Sequence, residues 1–374
     1  MTEFATLRPG DPFPWIHPRT SSNPSFALDS MGGRYMVLCL FGSMTDPAGR
    51  SGMQAVADNR DLFDDNSMCL FGVSCDPQDE KQKRVSDRMP GIRVFWDFDG
   101  AVAKACGALA PDAVLGAGSN VFRRMWIVVD PTLHVLATFP LRGGEGAHEP
   151  VFQFLRGLRP PQDFAGFEIP APVLVLPNVL EPGLCRRLID LYEADGGTET
   201  GVMRDEGGVI DYAFKRRKDY TIKDQELCRG LRQRIGRRVA PEIRKLFFMN
   251  ITGMERYLVG CYAAEDKAHF QPHRDNQSAV TAHRRFAVSI NLNDGFEGGE
   301  VSFPEYNRRG IKAPLGWAVV FPCAALHAVS RVTSGKRYAF LPFVYDDEGA
   351  KIFAATCARM QREPEESAPE GAAN

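Results

Sequence analysis

Several features that would assign this chain to a particular class are absent. No Cys-x-x-Cys pair occurs among its nine cysteines, and their odd number and scattered spacing do not fit a secreted disulfide framework. No apolar run approaches the roughly twenty residues that a membrane span needs, and the first residues lack the pattern of a secretory leader. The formal net charge is only −2, which gives no bulk attraction to nucleic acid. We therefore predict a cytoplasmic protein with reduced thiols and with no nucleic-acid or membrane partner.

Length and composition indicate two folded domains. At 374 residues the chain is too long for one ordinary core, because compact domains mostly span about 100 to 200 residues. Four prolines in segment 159–172 discourage regular structure there. We therefore expect a first domain at 1–160, a linker at 161–172 and a second domain at 173–348. The polar, acidic residues 360–374 predict a disordered tail.

The first domain alternates apolar strands with stretches of helical character. Apolar runs of strand length occupy 35–41, 68–74 and 125–130, and a return strand follows at 134–139. Strands that are separated by helices are typical of an α/β sheet. We therefore predict an α/β fold for this half of the chain.

The second domain shows the two-residue period of half-buried β-strands. In 285–293, one face carries the apolar residues Phe286, Val288, Ile290 and Leu292. Further short strands are separated by Gly, Pro and Asp turns, a pattern that favours a sandwich or a double-sheet jelly roll. From about 223 to 248, apolar residues recur at helical spacing and predict a supporting helix that packs on a sheet.

Four residues of this second half point to metal chemistry. His273, Asp275 and His327 supply two imidazoles and one carboxylate, the set with which non-heme oxygenases hold Fe(II) by one face. Three coordination positions then remain for a chelating 2-oxo acid and dioxygen. The planar guanidinium of Arg337 suits the far carboxylate of 2-oxoglutarate, which it can bind through two parallel hydrogen bonds. His269 and His283 are expected to be surface or supporting groups, because the ligand set is complete without them.

A family resemblance supports this interpretation. From about residue 173 to 345 the chain resembles the prolyl 4-hydroxylase-like group of Fe(II)/2-oxoglutarate dioxygenases, through Gly-Cys-Tyr262, His273-Arg-Asp275, Gly298-Gly-Glu, His327 and Lys-Arg337-Tyr-Ala. The resemblance implies a double-stranded β-helix, or jelly roll, with His273, Asp275 and His327 as Fe(II) ligands. It also makes Arg337 the clamp of 2-oxoglutarate, with Tyr262 and Asn291 beside the cosubstrate. For Tyr262, a plain packing role on its alternating strand remains equally open.

The first half resembles a peroxiredoxin of the thioredoxin-like fold. The resemblance spans roughly residues 5 to 158 and includes Gly-Val-Ser-Cys-Asp76-Pro, Trp-Asp97-Phe-Asp-Gly and Ile-Val-Val-Asp130-Pro. Such enzymes need a thiolate at a helix start after the first core strand. Here Ala48 occupies the position three beyond Thr45, so we predict a scaffold without peroxidase activity. Its expected role is to dimerise the chain or to dock a substrate.

Together these features predict a 2-oxoglutarate-dependent hydroxylase. By the resemblance, it oxidises a C–H bond of a peptidyl or amino-acid-like substrate, protein or small molecule, with release of succinate and CO2. Two alternatives remain: a binding or scaffold protein with a degenerate redox domain, and a thiol peroxidase that uses a displaced cysteine such as Cys39 or Cys75. The basic run 215–218 is expected to form a solvated face, or else to meet an acidic substrate at the mouth of the site.

Overall fold

The chain forms two compact units. The first comprises Met1–Pro170 with Pro304–Arg308, and the second comprises Ala171–Phe303 with Arg309–Asn374. The first boundary thus falls inside the segment predicted as a linker. This computed structural model describes residues 4–116, 121–204 and 207–366.

A five-stranded mixed sheet forms the first unit. The strands follow the order β3-β2-β1-β4-β5. Strands β1, β2 and β3 run parallel to one another, and β4 runs antiparallel to both of its neighbours, β1 and β5. This arrangement confirms the predicted α/β thioredoxin-like fold. The strands are β1 (Tyr35–Gly42), β2 (Met68–Ser74), β3 (Ile92–Trp96), β4 (Met125–Val129) and β5 (Val135–Pro140), and the helices are α1 (Pro47–Asp58), α2 (Pro77–Lys81), α3 (Ala101–Ala105) and α4 (Glu149–Arg156).

The central strands are buried along their whole length. Every residue of β1 and β2 is buried, as expected for parallel strands whose two faces are both covered. Successive side chains of β1 enter opposite cores: Met36 and Leu38 pack with Phe71 and Ile127, while Tyr35 and Val37 pack in the cluster of Trp126 and Phe152. The sheet therefore separates two apolar layers, which explains the continuous rather than alternating hydrophobic pattern of the sequence.

A carboxylate occupies the N-terminus of α1, where the resemblance places a thiolate. Asp46 accepts hydrogen bonds from the backbone nitrogens of Ala48 and Gly49 at 2.8 and 3.3 Å, and Pro47 begins the helix. The second carboxylate oxygen of Asp46 lies 2.8 Å from Arg124 Nη2. The positive charge and free N–H groups at this helix start are therefore already matched by an acid.

We expect the full chain to consume no peroxide at neutral pH. Burial raises the pKa of the Cys39 thiol, and burial together with the nearby Asp97 carboxylate raises that of Cys75, so neither thiol supplies much of the reactive thiolate. A peroxide-consumption assay on wild type and on Cys75→Ser should give the same background rate. Peroxide reduction that disappears in Cys75→Ser or Cys39→Ser would instead support the displaced-cysteine alternative.

Two predominantly antiparallel sheets build the second unit. The larger follows the order β12-β21-β15-β20-β13-β11-β7, with β16, β18 and β6 attached, and the smaller follows β10-β14-β19-β17. This confirms the predicted jelly roll. The strands are β6 (Leu174–Leu176), β7 (Thr198–Glu199), β8 (Val202–Arg204), β9 (Gly207–Val209), β10 (Lys215–Arg216), β11 (Lys218–Thr221), β12 (Gly253–Glu255), β13 (Leu258–Ala263), β14 (His269–His273), β15 (Phe286–Asn291), β16 (Phe296–Glu297), β17 (Val301–Ser302), β18 (Ala318–Pro322), β19 (His327–Val329), β20 (Ser334–Phe340) and β21 (Phe343–Tyr345).

Supporting helices cover one face of the larger sheet. Leu227, Leu231 and Ile235 from α6 share a core cluster with Ile290 and Phe340 from the sheet. A single helix was predicted from about 223 to 248, and this was wrong in one respect. Two helices occur instead, with their junction at Val239, because Pro241 has no N–H for a continuous helix. The helices are α5 (Pro182–Asp195), α6 (Gln225–Arg238), α7 (Ala240–Phe247) and α8 (Asp347–Glu366).

The start of the predicted disordered tail is helical. Helix α8 continues to Glu366, so the prediction of disorder from 360 was wrong at its beginning. The alanine-containing stretch before it favours helix, and the helix extends beyond the point where the composition becomes acidic. The remaining predicted tail, 367–374, lies outside the described residues. None of the described helices combines the length and the apolar character that a membrane crossing requires.

Candidate metal centre

Two neighbouring strands bring His273, Asp275 and His327 together. His273 ends β14 and His327 begins β19, and the two residues are directly paired across the antiparallel ladder. Asp275 follows β14 by two residues. The carboxylate oxygens of Asp275 lie 3.6 Å from His273 Nε2 and 3.3 Å from His327 Nε2, and one ligand atom from each residue lies within 4.8 Å of the others.

Backbone carbonyls fix the orientation of both imidazoles. The Nδ1 atom of His273 lies 2.7 Å from the carbonyl oxygen of Gln271, and Nδ1 of His327 lies 3.1 Å from that of Ala325. A carbonyl only accepts, so each Nδ1 carries a proton and Nε2 is the ring nitrogen that remains for a metal. Both Nε2 atoms lie on the side of Asp275, as metal-binding histidines require.

Burial and mutual charge set the protonation of the cluster. Burial, together with the neighbouring His327, lowers the pKa of His273 to about 4 against the opposing effect of Asp275. Burial alone would raise the pKa of Asp275, but the two imidazoles hold it well below its usual range. Neutral imidazole beside ionised carboxylate is the protonation state that binds a divalent cation. This donor set fits Fe(II).

Arg337 lies on β20 and is almost fully buried, with 2% of its surface exposed. Its Nε donates to Asn291 Oδ1 at 2.9 Å and its Nη2 to Ser289 Oγ at 2.8 Å. The third nitrogen, Nη1, has no partner among the described residues. Gly299 makes room for this side chain, because a Cβ there would lie 3.0 Å from Arg337 Cδ. A buried guanidinium with an unused donor fits a carboxylate ligand.

Tyr262 and Asn291 both lie beside Arg337. Tyr262 is its partner across the β13–β20 ladder, and its ring centroid lies 5.2 Å from the guanidinium carbon. Asn291 uses its oxygen for Arg337 and its amide nitrogen for the carbonyl of Ala313, at 2.6 Å. The structure therefore shows Asn291 as a support for the arginine, and its direct contact with the cosubstrate stays a prediction.

Sequence reasoning missed a buried ion pair on β10 and β11. Arg217 donates to both carboxylate oxygens of Asp219, at 2.6 and 2.8 Å, and to the hydroxyl of Tyr262 at 3.1 Å. Lys215 Nζ lies 3.9 Å from the same carboxylate and donates to Thr200 Oγ1 at 2.7 Å. The signal was present as a two-residue period, since Lys215, Arg217 and Asp219 are all buried while the residues between them are partly exposed.

A small apolar cluster connects the two parts of the site. Tyr262 from the larger sheet packs with Val329 from β19 and with Ala268 and Val332. Phe270, which also packs there, stacks on His273 with ring centroids 3.5 Å apart. The tyrosine thus has the packing role that the sequence left open, while its hydroxyl still carries the hydrogen bond from Arg217.

The two remaining histidines of this region lie outside the cluster. His269 directs both ring nitrogens at backbone carbonyls, those of Lys267 and Ala213. His283 Nε2 lies 3.0 Å from a carboxylate oxygen of Glu255. Both side chains are buried, so the expectation of a surface position was wrong and the expectation of a supporting position describes them better.

Comparison with known proteins gives a match in each half of the chain. Residues 257–345 match the 2OG-Fe(II) oxygenase superfamily, and residues 9–137 match the AhpC/TSA family. The first match includes all three cluster residues and Arg337. This family match implies Fe(II) as the metal and 2-oxoglutarate as the cosubstrate, and it supports dioxygenase activity.

The individual relatives each match only part of the chain. A PKHD-type hydroxylase of Psychrobacter sp. (strain PRwf-1) is 36% identical over 75 residues, which is 20% of this chain and 29% of the relative. The chain therefore spans less than a third of the length of this curated relative. A viral collagen prolyl hydroxylase from Paramecium Bursaria Chlorella virus-1 has 16% identity and a TM-score of 0.37, covering 46% of this chain and 96% of the other. A peroxiredoxin-like protein from Aquifex aeolicus has 14% identity and a TM-score of 0.32, covering 41% and 88%.

Proposed function

We propose that the chain is an Fe(II)- and 2-oxoglutarate-dependent dioxygenase that hydroxylates a C–H bond. The match to the 2OG-Fe(II) oxygenase superfamily, which contains this cluster, supports the proposal. The observation that carries the proposal is the combination of three converging ligand atoms with a separate buried arginine that keeps one donor unused. The substrate we propose is peptidyl or amino-acid-like. The reaction balances: one dioxygen and one 2-oxoglutarate give succinate, CO2 and one oxygen atom inserted into the substrate.

His273, Asp275 and His327 would hold Fe(II) by one face, and the carbonyl-bound Nδ1 atoms keep the two imidazoles in place. Bound iron would supply the redox chemistry that couples decarboxylation of the 2-oxo acid to substrate oxidation. Three protein ligands leave positions for the cosubstrate and dioxygen.

Arg337 would bind the distal carboxylate of 2-oxoglutarate through Nη1. Ser289 and Asn291 occupy its other two nitrogens and so orient the free donor. Tyr262 packs against the guanidinium and is itself oriented by Arg217. These residues therefore position the cosubstrate while the histidines and the aspartate position the metal.

The direct test uses the purified full chain. We expect one Fe(II) per chain under anaerobic conditions and slow, iron-dependent release of succinate from 2-oxoglutarate in air, even without substrate. Lysate incubated with protein, iron and 2-oxoglutarate should contain a component that gains the mass of one oxygen. Failure to bind iron, or succinate release that does not depend on it, would refute the proposal.

Arg337→Met should weaken 2-oxoglutarate binding while iron is retained. The loss of one charge-assisted interaction is worth on the order of 1.5 to 3 kcal/mol, or roughly ten- to a hundredfold in affinity. The affinity of Arg337→Lys for 2-oxoglutarate should lie between those of wild type and Arg337→Met, since lysine keeps the charge without the planar fork. Calorimetric titration of 2-oxoglutarate into Mn(II)-loaded protein measures the effect, and unchanged affinity in Arg337→Met would assign the carboxylate to another basic residue.

A further inference from the structure

An unusual arginine precedes the strand that carries Tyr262. Arg256 separates β12 from β13 and has φ +61°, a left-handed backbone conformation that is uncommon for a residue with a long side chain. The alternating sequence instead predicts one continuous strand from 254 to 262. Such strained positions persist where the surrounding structure enforces them, and they concentrate at functional sites.

The guanidinium of Arg256 has no carboxylate of its own. Its nearest recorded acidic contact is Asp219 Oδ2, 3.9 Å from Nη2, and Asp219 is already bound at both oxygens by Arg217. Arg256 makes no hydrogen bond through its side chain to the described residues. The guanidinium carbon lies 5.4 Å from the ring centroid of Phe343, and 29% of the side chain is exposed. The group is therefore held in place and still accessible.

Charges around Arg256 leave it uncompensated. The two arginines whose charges reach it each have a carboxylate of their own, Arg217 with Asp219 and Arg284 with Glu255. Asp275 belongs to the metal cluster. Binding of Fe(II) and the dianion of 2-oxoglutarate together adds no net charge. One positive group therefore remains next to the proposed centre after both have bound.

The local potential agrees with this balance. Burial, together with the charges of Arg217 and Arg284, lowers the pKa of Arg256 to about 10. Burial also lowers the pKa of Lys215 to about 7, with Arg217 as the next cause. Both side chains also feel the opposing charge of Asp275, which places them within electrostatic reach of the metal cluster.

We propose that the substrate carries a carboxylate and that Arg256 binds it next to the metal cluster. This inference rests on the proposed dioxygenase function and narrows its substrate class to acidic molecules. The outward-facing Lys218, 43% exposed and 3.9 Å from Asp266, belongs to the solvated face that the sequence predicts for the basic run. Lys215 and Arg217 of the same run are buried. Together with Arg256 they define the cationic surface that would bind the substrate.

The test compares matched acidic and neutral probes on the full chain loaded with Mn(II) and 2-oxoglutarate, a state that does not turn over. Two pools of fluorescent dodecapeptides would share their sequences except that Asp and Glu in one are Asn and Gln in the other. We expect wild type to bind the acidic pool at least about tenfold more tightly, the range of a charge-assisted interaction. Arg256→Gln should abolish this preference, and Arg256→Lys should keep part of it because the charge remains.

Lys218→Gln provides the matched control, since it removes one cation from the same region on the outward face. It should leave the preference within about twofold of wild type, as expected for a screened surface charge. The α-amide of N-acetylglutamate, but not the α-amide of N-acetylglutamine, should displace the acidic pool if a single carboxylate suffices. Displacement by acidic peptides alone would assign the same chemistry to a peptide substrate.

Three results would overturn the inference: no measurable binding of the acidic pool, a preference that survives Arg256→Gln, or an equal loss in Lys218→Gln. Thermal unfolding of each variant shows whether it is folded, and Arg256→Lys decides the question if Arg256→Gln is not. Succinate release by the iron-loaded wild type is measured in parallel. Its absence refutes the proposed function, whereas its presence without any acidic preference refutes only the role of Arg256.

Discussion

Alanine at His273 should abolish both Fe(II) binding and iron-dependent succinate release. The three proposed ligands would hold the cation by one face, so the loss of one would leave two donors and an open, solvated metal. Asp275→Ala should have the same outcome, and it also removes the only carboxylate of the cluster. Iron content after desalting and succinate formation, measured on the same samples, check this expectation.

Asp266→Asn offers a control of equal charge change outside the cluster, because Asp266 lies on the exposed side near Lys218. It should bind iron as wild type does. His327→Ala is the sharpest variant, because that histidine is far from the other two in sequence. Retained succinate formation in His327→Ala would remove it from the ligand set and leave the proposed centre incomplete.

Arg217→Met should lower the free energy of unfolding by about 3 to 5 kcal/mol, the range found when one partner of a buried ion pair is removed. Asp219 is 4% exposed, and without Arg217 its carboxylate would lose two short hydrogen bonds. Chemical denaturation followed by circular dichroism measures the change. Lys218→Met, which removes a half-exposed cation from the next position, should cost less than about 1 kcal/mol.

The double variant Arg217→Met/Asp219→Leu should recover part of the loss, because neither member of the ion pair is then left buried alone, whereas Lys215 still loses its 3.9 Å contact with Asp219. Low pH should also weaken this ion pair and lower the stability of the protein. Burial alone raises the pKa of Asp219, yet Arg217 holds it at about 2, below the unfolded value of about 4. The stability that this carboxylate contributes is therefore present above pH 4 and is lost as the pH falls toward 2. A wild-type stability that is flat across this window would contradict the assignment.

The metal cluster and its arginine were accessible to sequence reasoning because residue type alone restricts their chemistry. Two histidines and an aspartate beside a lone arginine on an alternating strand have few common roles, and the structure brings all three cluster residues together. Ser289 and Asn291 share one face of the alternating strand β15, and Arg337 is hydrogen-bonded to both. Alternation was sufficient for this, since it decides which face a side chain occupies.

Arg217, Asp219 and Arg256 were not found, for two different physical reasons. A run of basic residues usually lies in solvent, and for that reason the two-residue period that places Arg217 beside the carboxylate of Asp219 inside the unit was overlooked. The left-handed backbone of Arg256 depends on the strands on either side of it. No glycine or asparagine marks the position, so the residue pattern alone favours an unbroken strand. The break between α6 and α7 was visible in Pro241, by contrast, and was overlooked.

The bracing of Arg337 has a consequence for which 2-oxo acids the site accepts. Ser289 and Asn291 hold its guanidinium before any ligand arrives, so the rotamer freedom of a free arginine, worth roughly 2 kcal/mol, is already lost on folding. Because this guanidinium is fixed, a 2-oxo acid would bind well only if the distance between its two ends matches the distance from the metal to Arg337. Oxaloacetate, one methylene shorter than 2-oxoglutarate, and 2-oxoadipate, one longer, would each meet a guanidinium at the wrong depth. The same two small polar residues that orient the arginine would thus select the chain length of the cosubstrate, and Asn291→Ala would relax that selection.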